Sequence, residues 1–235
     1  MDTSMKKGLL FLKSLFYTAN LNNTNMQGLG FKFLSDEIVA KNSITLSSEA
    51  VKSQTEYFNT HPFMVNFILG VWFKEYTIGS NPGYYKKIYA SALAALGDSF
   101  FWHSLRSICF IISGIFVLFS PVYGLAFYLL FFNLFHIYFL FIGFDAGFIF
   151  GREVIGWFNR IGIKDWSKIC DSFSTLFFGF LLSGVLKRNV EFNIDIIIMS
   201  LVLLSLGFFL AKRFDITQGF LGGMVLMMLM LYLRG

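Results

Sequence analysis

The sequence predicts an all-α integral membrane protein with several transmembrane helices, additional re-entrant or half helices, and an amphipathic N-terminal arm. Hydrophobic residues make up 56% of the chain and charged residues only 14%, whereas soluble globular chains carry about 25% charged residues. Most apolar runs lie after Pro62, and several are shorter than a membrane span requires. We therefore expect a helical arm over residues 1–57, cytoplasmic or interfacial, and one membrane domain over residues 58–235.

Charge and cysteine patterns exclude two other classes of function. The net charge is +5, but the lysines and arginines stand in ones and twos between apolar runs, which is typical of loops at a membrane face and not of a nucleic-acid site. Cys109 and Cys170 lie in or beside apolar sequence without neighbours at metal-ligand spacing. The sequence thus predicts neither a metal nor a cofactor, and the bilayer is the expected surrounding.

The N-terminal arm carries two helical segments. Residues 1–17 combine lysines with leucines and phenylalanines, and Lys13 interrupts the apolar core that a signal peptide would need. An amphipathic helix at the membrane surface fits this pattern, and its lysines favour a cytoplasmic N-terminus. Residues 35–56 are polar and rich in helix-capping serines, which predicts a surface helix.

The first apolar helix is predicted to begin at Pro62. Proline suits the first turn of a helix, and Asn59 or Thr60 suits the capping position before it. The apolar run over residues 63–73 would rise only about 16 Å as a helix, too little to cross a bilayer. This segment is therefore expected to be re-entrant or to cross half of the membrane.

After a loop over residues 74–87, an apolar segment over residues 88–105 carries a Gly-Asp-Ser triplet. An ionised carboxylate at bilayer depth costs roughly 2.5–3.5 kcal/mol, so Asp98 should be paired, hydrated or functional there. The alternative is that Asp98 only caps a helix that begins at the membrane surface. Arg106 either pairs with Asp98 or anchors the end of the segment at the interface.

The remainder of the chain predicts further membrane segments. Residues 107–144 contain no charged side chain and are long enough for two spans of about 20 residues each, with the turn at Pro121. A charged stretch over residues 152–168 is expected at the cytoplasmic face. Further apolar runs follow at residues 172–186, 196–211 and 216–233. Incomplete helices of this kind bind solutes near the midplane of transporters.

Several sequence blocks resemble, in order, the IID component of the mannose/fructose/sorbose family of the bacterial sugar phosphotransferase system. The matching blocks are residues 26–31 (MQGLGF), 58–63 (FNTHPF), 68–71 (ILGV), 97–102 (GDSFFW) and 132–134 (FNL), followed by Gly143, Gly147 and Gly151. The family's aromatic, acidic and arginine residues are absent from residues 21–25, which read LNNTN. The resemblance covers nearly the whole chain from about Leu21.

The resemblance implies a permease subunit of the bacterial cytoplasmic (inner) membrane that crosses it several times. A IID chain pairs with a IIC membrane subunit, and the pairs form a trimer of heterodimers. Cytoplasmic IIA and IIB proteins carry the phosphate, so this chain should hold no catalytic residue. The substrate implied is a hexose of the mannose, glucose or fructose type, or an amino sugar.

Two polar clusters are the candidate sugar-binding residues. Each buried sugar hydroxyl left without a partner costs about 1–3 kcal/mol, so a sugar pocket needs donors, acceptors and often an aromatic face. The candidates, which we expect to face the IIC subunit, are Asn59, Thr60, His61, Asp98, Ser99 and Trp102, with Asn133 as a further contact.

These residues also have purely structural interpretations. His61 could cap a helix or contact a partner, and Trp102 could pack at the membrane interface. Asn133 and His136 lie one turn apart and could form a hydrogen bond between helices. Gly219 and Gly223 form a G-x-x-x-G pair that either packs helices closely or is incidental.

Two alternative functions stay open at this level. An independent small-solute transporter should show an internal repeat, and none is convincing in this sequence. A diverged IID-like protein could keep a structural or receptor role, which the changes in residues 21–25 leave open.

Overall fold

The computed structural model describes residues 7–189, and the regular elements in this part of the chain are helices. The α-helices are α1 (Lys7–Ser14), α2 (Gly28–Lys41), α3 (Ser48–Thr55), α4 (Val65–Thr77), α5 (Pro82–Gly97), α6 (Arg106–Val117), α7 (Pro121–Phe150), α8 (Val154–Arg160) and α9 (Ile163–Asn189). Short 3₁₀ turns lie at Tyr17–Asn20, Pro62–Met64 and Gly151–Glu153, and a π-helical segment spans Asp98–Leu105.

The chain divides into two compact units, residues 1–184 and residues 185–235. The features described below belong to the first unit. The apolar runs predicted at residues 196–211 and 216–233 lie outside the described residues, as do Gly219 and Gly223.

Two helical stretches of the described chain are long and apolar enough to cross a membrane. They are Pro82–Val117 and Pro121–Leu181. The turn between them precedes Pro121, which begins α7, so the predicted turn position is confirmed. The first stretch begins at Pro82, however, and includes part of the predicted loop over residues 74–87.

The short helix α4 forms the centre of the fold, and most of its side chains are buried. It crosses α7 where glycines from both helices meet. A Cβ atom added at Gly70 would overlap the backbone of α7 at Phe144, and one added at Gly147 would overlap the backbone of α4 at Phe67. Because small residues let membrane helices approach closely, these glycines set the distance between α4 and α7.

Asn66 links this crossing to the first helix. Its side-chain amide donates a hydrogen bond to the carbonyl of Leu140 in α7 (2.7 Å), and its Oδ1 accepts one from the Ser14 hydroxyl in α1 (2.9 Å). On the inner face of α1, Leu10 and Ser14 are buried, while Leu9 and Leu12 are exposed. The helix predicted for residues 1–17 is thus present in part, and its placement at the membrane surface stays a prediction.

Lys86, near the start of α5, is the buried cation that joins the arm to the rest of the fold. Its side chain is 1% exposed. The ammonium donates hydrogen bonds to the carbonyls of Ser53 (2.6 Å) and Gln54 (3.2 Å) in the last turn of α3, and it lies 4.3 Å from the ring centre of Phe31 and 4.9 Å from that of Phe58. A cation suits this place because the C-terminus of a helix carries partial negative charge.

A buried carboxylate holds the junction after α7. The Glu75 side chain, 1% exposed, accepts a bidentate pair of hydrogen bonds from the Arg152 guanidinium, at 3.0 Å from Nε and 2.8 Å from the terminal nitrogen. Arg152 follows Gly151, whose φ of +52° belongs to the left-handed region that glycine tolerates best. The carboxylate therefore fixes the chain where it leaves α7.

The structure corrects two predictions about helix starts. His61, rather than Asn59 or Thr60, caps the helix at Pro62: its Nδ1 accepts a hydrogen bond from the Phe63 amide at 3.2 Å. Asp98 begins no helix, because α5, the π-helical segment and α6 run without a break. The capping role considered for Asp98 is therefore wrong.

The ion pair between Glu56 and Lys87, at 2.9 Å, provides a test of the arm's contact with α5. The hydrogen bond from Lys87 lowers the pKa of the Glu56 carboxyl below its ordinary value. The stabilisation is therefore complete at neutral pH and is lost as the pH falls through the folded-state pKa.

We expect Glu56→Gln to lower the free energy of unfolding by less than about 1 kcal/mol at pH 7, because exposed pairs contribute little. The difference from the unsubstituted protein should shrink as the pH is lowered to about 2, well below the ordinary glutamate pKa, because the carboxyl becomes protonated and the ion pair is lost. Thermal unfolding in detergent at both pH values measures it. A deficit that persists at the lower pH would show that the ion pair is not its cause.

Candidate functional site

The two polar clusters predicted from the sequence meet in the structure. Gly97 in the last turn of α5 faces His61, and a Cβ atom added there would lie 2.5 Å from the Cβ of His61. Only glycine allows this approach without displacement. The blocks at residues 58–63 and 97–102, which are distant in sequence, therefore form one contact.

Aromatic rings surround this contact and define what we call the aromatic cluster. The His61 ring stacks on Phe101 with 5.0 Å between centres, and it lies 5.2 Å from the Trp102 ring. Phe63 stacks on His136 of α7 at 3.8 Å. The cluster comprises His61, Phe63, Phe101, Trp102, Phe132 and His136.

His61 supplies an unused hydrogen-bond donor inside this cluster. Its Nδ1 accepts the hydrogen bond from the Phe63 amide, so the neutral imidazole carries its proton on Nε2. Nε2 is buried and has no partner in the described part of the protein. A buried donor without a partner is costly, which makes this atom a candidate contact for a ligand or another subunit.

Trp102 is the member of the cluster that reaches the surface. Its side chain is 36% exposed, and the Arg106 guanidinium lies 5.2 Å from the ring centre. Arg106 therefore stacks on Trp102 and makes no ion pair with Asp98 within the described residues. Asp98, one turn before Trp102, is exposed and has no hydrogen-bond or ion-pair partner in that same range.

Ser99 faces another direction. It lines a cleft with Asn159 and Lys164, on the side of the helix toward α8 and α9. Asn59 is exposed and lines a separate, open pocket with Lys87. The structure thus brings His61 and Trp102 together, whereas Ser99 and Asn59 lie in different pockets.

Thr60 and Gln27 connect two of the sequence blocks. The Gln27 side chain pairs with the Thr60 backbone, accepting from its N–H (2.9 Å) and donating to its carbonyl (3.0 Å). The Thr60 hydroxyl donates to the carbonyl of Ala90 in α5 at 3.1 Å. Thr60 is buried with these groups in use, so its contacts position the chain before His61.

Among residues 7–189, Asn133 and His136 form no hydrogen bond between helices of the kind considered from the sequence. The Asn133 amide donates to the Leu129 carbonyl within α7 (2.7 Å), and His136 stacks on Phe63. His136 thus belongs to the aromatic cluster. Asn133 is half-buried and lies three residues before His136, but its amide is bonded within its own helix.

Sequence reasoning named His61 and Trp102 but missed the aromatic cluster that surrounds them, and it missed Gln27 and Lys86. Phenylalanine is so frequent in this chain, with 32 residues, that no single ring stands out. Gln27 lies in a block that matched the family pattern, and that block was the available signal. Nothing in the local sequence distinguishes buried Lys86 from exposed Lys87.

The hydroxyl of Tyr17, which lies outside the long apolar helices, is a further buried polar group. Tyr17 is buried, and its burial raises the pKa of the phenol well above the ordinary value. Its hydroxyl has no hydrogen-bond partner among the described residues. It lies against Gly30 in α2, where a Cβ atom would overlap the Tyr17 backbone, so its role there is packing.

Comparison with known proteins identifies the family. Residues 3–234 match the family model described as the mannose/fructose/sorbose family IID component of the phosphotransferase system. The chain belongs to this family. This IID chain is therefore a membrane component of a sugar permease.

Two solved structures share the fold of this IID chain. One, described only as the structure of a membrane protein, has a TM-score of 0.66 at 20% sequence identity. The other is a cryo-EM structure of the mannose transporter ManYZ in complex with microcin E492, with a TM-score of 0.54 at 19% identity. Each alignment covers 96% of this chain and 95% of the other, so the likeness extends over the whole fold.

Proposed function

We propose that this IID chain pairs with a IIC subunit and contributes the aromatic cluster and Asp98 to the pathway of a hexose or amino sugar. The observation that carries the proposal is the contact between His61 and Trp102 at 5.2 Å. It joins an unused N–H donor to a half-exposed indole ring. A pyranose needs both features, because its hydroxyls require partners and its C–H face packs on aromatic rings.

Asp98 complements this pair as an acceptor. Its carboxylate is exposed one turn before Trp102 and is free to accept hydrogen bonds from sugar hydroxyls. Asn59, which is exposed, would contact the sugar or the IIC subunit, while Thr60 would position His61. Ser99 and Asn133 are weaker candidates, since Ser99 lines another cleft and the Asn133 amide is bonded within its helix.

The phosphate chemistry would lie on other chains. We infer that IIA and IIB proteins carry the phosphate to the sugar at the cytoplasmic side, and that this subunit has no catalytic residue. The complex would be a trimer of IIC–IID heterodimers in the cytoplasmic membrane, with the N-terminus of this chain in the cytoplasm. The lysines of the first helix support that orientation.

Uptake of labelled hexose by cells that express the complete permease tests the proposal. We expect Asp98→Asn and Trp102→Ala each to reduce uptake by about tenfold, which corresponds to the loss of one or two sugar contacts. The matched controls are Asp165→Asn and Trp166→Ala on α9, where Trp166 is 39% exposed, close to the value for Trp102.

The amount of IID in the membrane, measured by immunoblot, must be equal in all strains. Undiminished uptake by both test variants would contradict the proposal. An equal loss in the control variants would also contradict it, because the effect would then not depend on the aromatic cluster.

A further inference from the structure

A second cleft lies beside the start of the π-helical segment, and its lining shares no residue with the aromatic cluster. Its volume is about 320 Å³, and it separates α5 and the start of the π-helical segment from α8 and α9. All of its walls belong to the two helical stretches that are long and apolar enough to cross a membrane. The α5 side of the cleft belongs to an apolar stretch, and its α8 and α9 side lies in the charged residues 152–168 that the sequence places at the cytoplasmic face, so we expect the cleft at the boundary between lipid and water.

One wall of this cleft is apolar. Ala92 and Ala95, one turn apart on α5, leave room beside Leu96 and Phe100, and Ile155 faces them from α8. Both alanines are exposed. An apolar wall of this kind can pack against a flexible hydrocarbon chain, whereas a sugar would find few hydrogen-bond partners along it.

The other end of the cleft is polar and positively charged. Asn159, Lys164 and Ser167 line it from α8 and the first turns of α9. The neighbouring acid, Asp165, is paired with Lys168 at 3.1 Å, and Lys164 has no ion-pair partner in the described part of the chain. Arg160, near the same end, lies over the Phe150 ring without a carboxylate partner there.

We propose that this cleft binds a phospholipid with a net negative headgroup, such as a phosphatidylglycerol. The acyl chain would lie along the apolar wall of α5, and the phosphate would accept hydrogen bonds from Lys164 and, in place of the Ile163 carbonyl that lies 3.3 Å away, from the Ser167 hydroxyl. Basic pockets between membrane helices at the cytoplasmic side bind anionic headgroups for this reason. The site does not depend on the sugar proposal, because its lining shares no residue with the aromatic cluster, although Ser99 was also considered as a sugar contact.

Native mass spectrometry of the full-length chain, titrated with phosphatidylglycerol and phosphatidylcholine of identical acyl chains, tests the proposal. We expect the unsubstituted protein to prefer phosphatidylglycerol by about fivefold or more, the contribution of one lysine near a membrane surface. Lys164→Gln should abolish the preference. Lys168→Gln, one turn further along α9 and outside the cleft lining, should change it by less than about twofold.

A second pair of variants tests the apolar wall without changing the charge. Ala95→Phe should weaken the binding of both lipids by about tenfold, because the phenyl ring would occupy the cleft. The control Ala126→Phe lies at an exposed position of α7 outside the cleft lining and should have no effect on binding. An excess of glycerol phosphate should not displace the lipid, since the soluble headgroup lacks the chain.

Three results would overturn the proposal: equal affinity for the two lipids, equal effects of Lys164→Gln and Lys168→Gln, or displacement by glycerol phosphate. Circular dichroism and the elution volume in detergent verify that each variant is folded. Misfolding of Ala95→Phe would leave the charge pair of variants as the deciding comparison, because both lysines are exposed.

Discussion

We expect Gly147→Ala to destabilise the protein more than any other glycine-to-alanine substitution at the crossing of α4 and α7. The new Cβ would overlap the Phe67 carbonyl oxygen and lie 2.8 Å from the Phe67 carbonyl carbon. Both atoms belong to the backbone of α4, so no side chain can turn aside. The helices must separate, and we expect a loss of about 3 kcal/mol.

A loss of that size lowers the midpoint of thermal unfolding by roughly 10 °C in a chain of this length. The measurement is thermal unfolding of purified protein in detergent, supported by the yield of folded protein from membranes. Gly179→Ala on α9 is the matched control, because a Cβ there meets no atom of the described residues within 4 Å. Alanine at Gly179 should be neutral or slightly stabilising, since it favours the helix by about 1 kcal/mol.

Gly70→Ala probes the same crossing from the other side. Its Cβ would overlap the α7 backbone at Phe144, so it should destabilise to a similar degree. The double variant Gly70→Ala with Gly147→Ala should cost less than the sum of the two, because helices that have moved apart for one methyl group make room for the other. Equal stability of Gly147→Ala and Gly179→Ala would contradict the close backbone contact.

The sequence was most informative where residue type alone decides backbone geometry. Pro62 and Pro121 have fixed φ and no N–H, and the structure begins helical elements at both residues. The apolar run after Pro62 was predicted to be too short for a span, and α4 has 13 residues. These features depend on the type of residue at one position or on the length of one apolar run, and both can be read from a single sequence.

Predictions failed where a tertiary contact overrides local propensity. Asp98 was considered as the cap of a helix that begins at the membrane surface, because aspartate favours caps and turns. In the structure, Gly97 lies inside a continuous helix. Glycine is needed at this position because a Cβ atom added there would lie only 2.5 Å from the Cβ of His61. No pattern within residues 88–105 contains that information, because His61 lies in another element.

The candidate site could be predicted only in part for the same reason. His61 and Trp102 were predicted from two separate motifs, and their contact follows from the crossing of two helices. Phe63 could not be singled out, because it is one of 32 phenylalanines, and His136 was considered only for a hydrogen bond between helices. Residues 98–105 form a π-helical segment, whose turns are wider than those of an α-helix. The sequence does not specify this change, so it could not predict the face on which Ser99 lies.

Lys86→Met is expected to loosen the N-terminal arm. Methionine keeps most of the apolar stem but cannot donate to the carbonyls of Ser53 and Gln54, which lie in the last turn of α3 and lack partners within that helix. Each buried carbonyl left without a donor costs about 1–3 kcal/mol. The interactions with the rings of Phe31 and Phe58 are lost as well.

An opposing effect must be weighed against this loss. Burial of an ammonium costs several kcal/mol, and replacing a buried charge by an apolar group is sometimes stabilising when the partners leave with it. Here the partners stay: two backbone carbonyls cannot be removed by a side-chain substitution, and no carboxylate forms an ion pair with Lys86 within the described residues. We therefore expect a net loss of about 2 kcal/mol.

Lys87→Met is the matched control, because its side chain is 60% exposed and its ion pair with Glu56 contributes less than about 1 kcal/mol. Thermal unfolding measures the stability of both variants, and limited proteolysis shows whether cleavage within residues 7–60 is faster in Lys86→Met. Stability equal to that of the unsubstituted protein would mean that relief of the buried charge balances the orphaned carbonyls. In that case the cation would not be what holds α3 against α5, and the packing of Phe31, Phe58 and Trp72 would have to suffice.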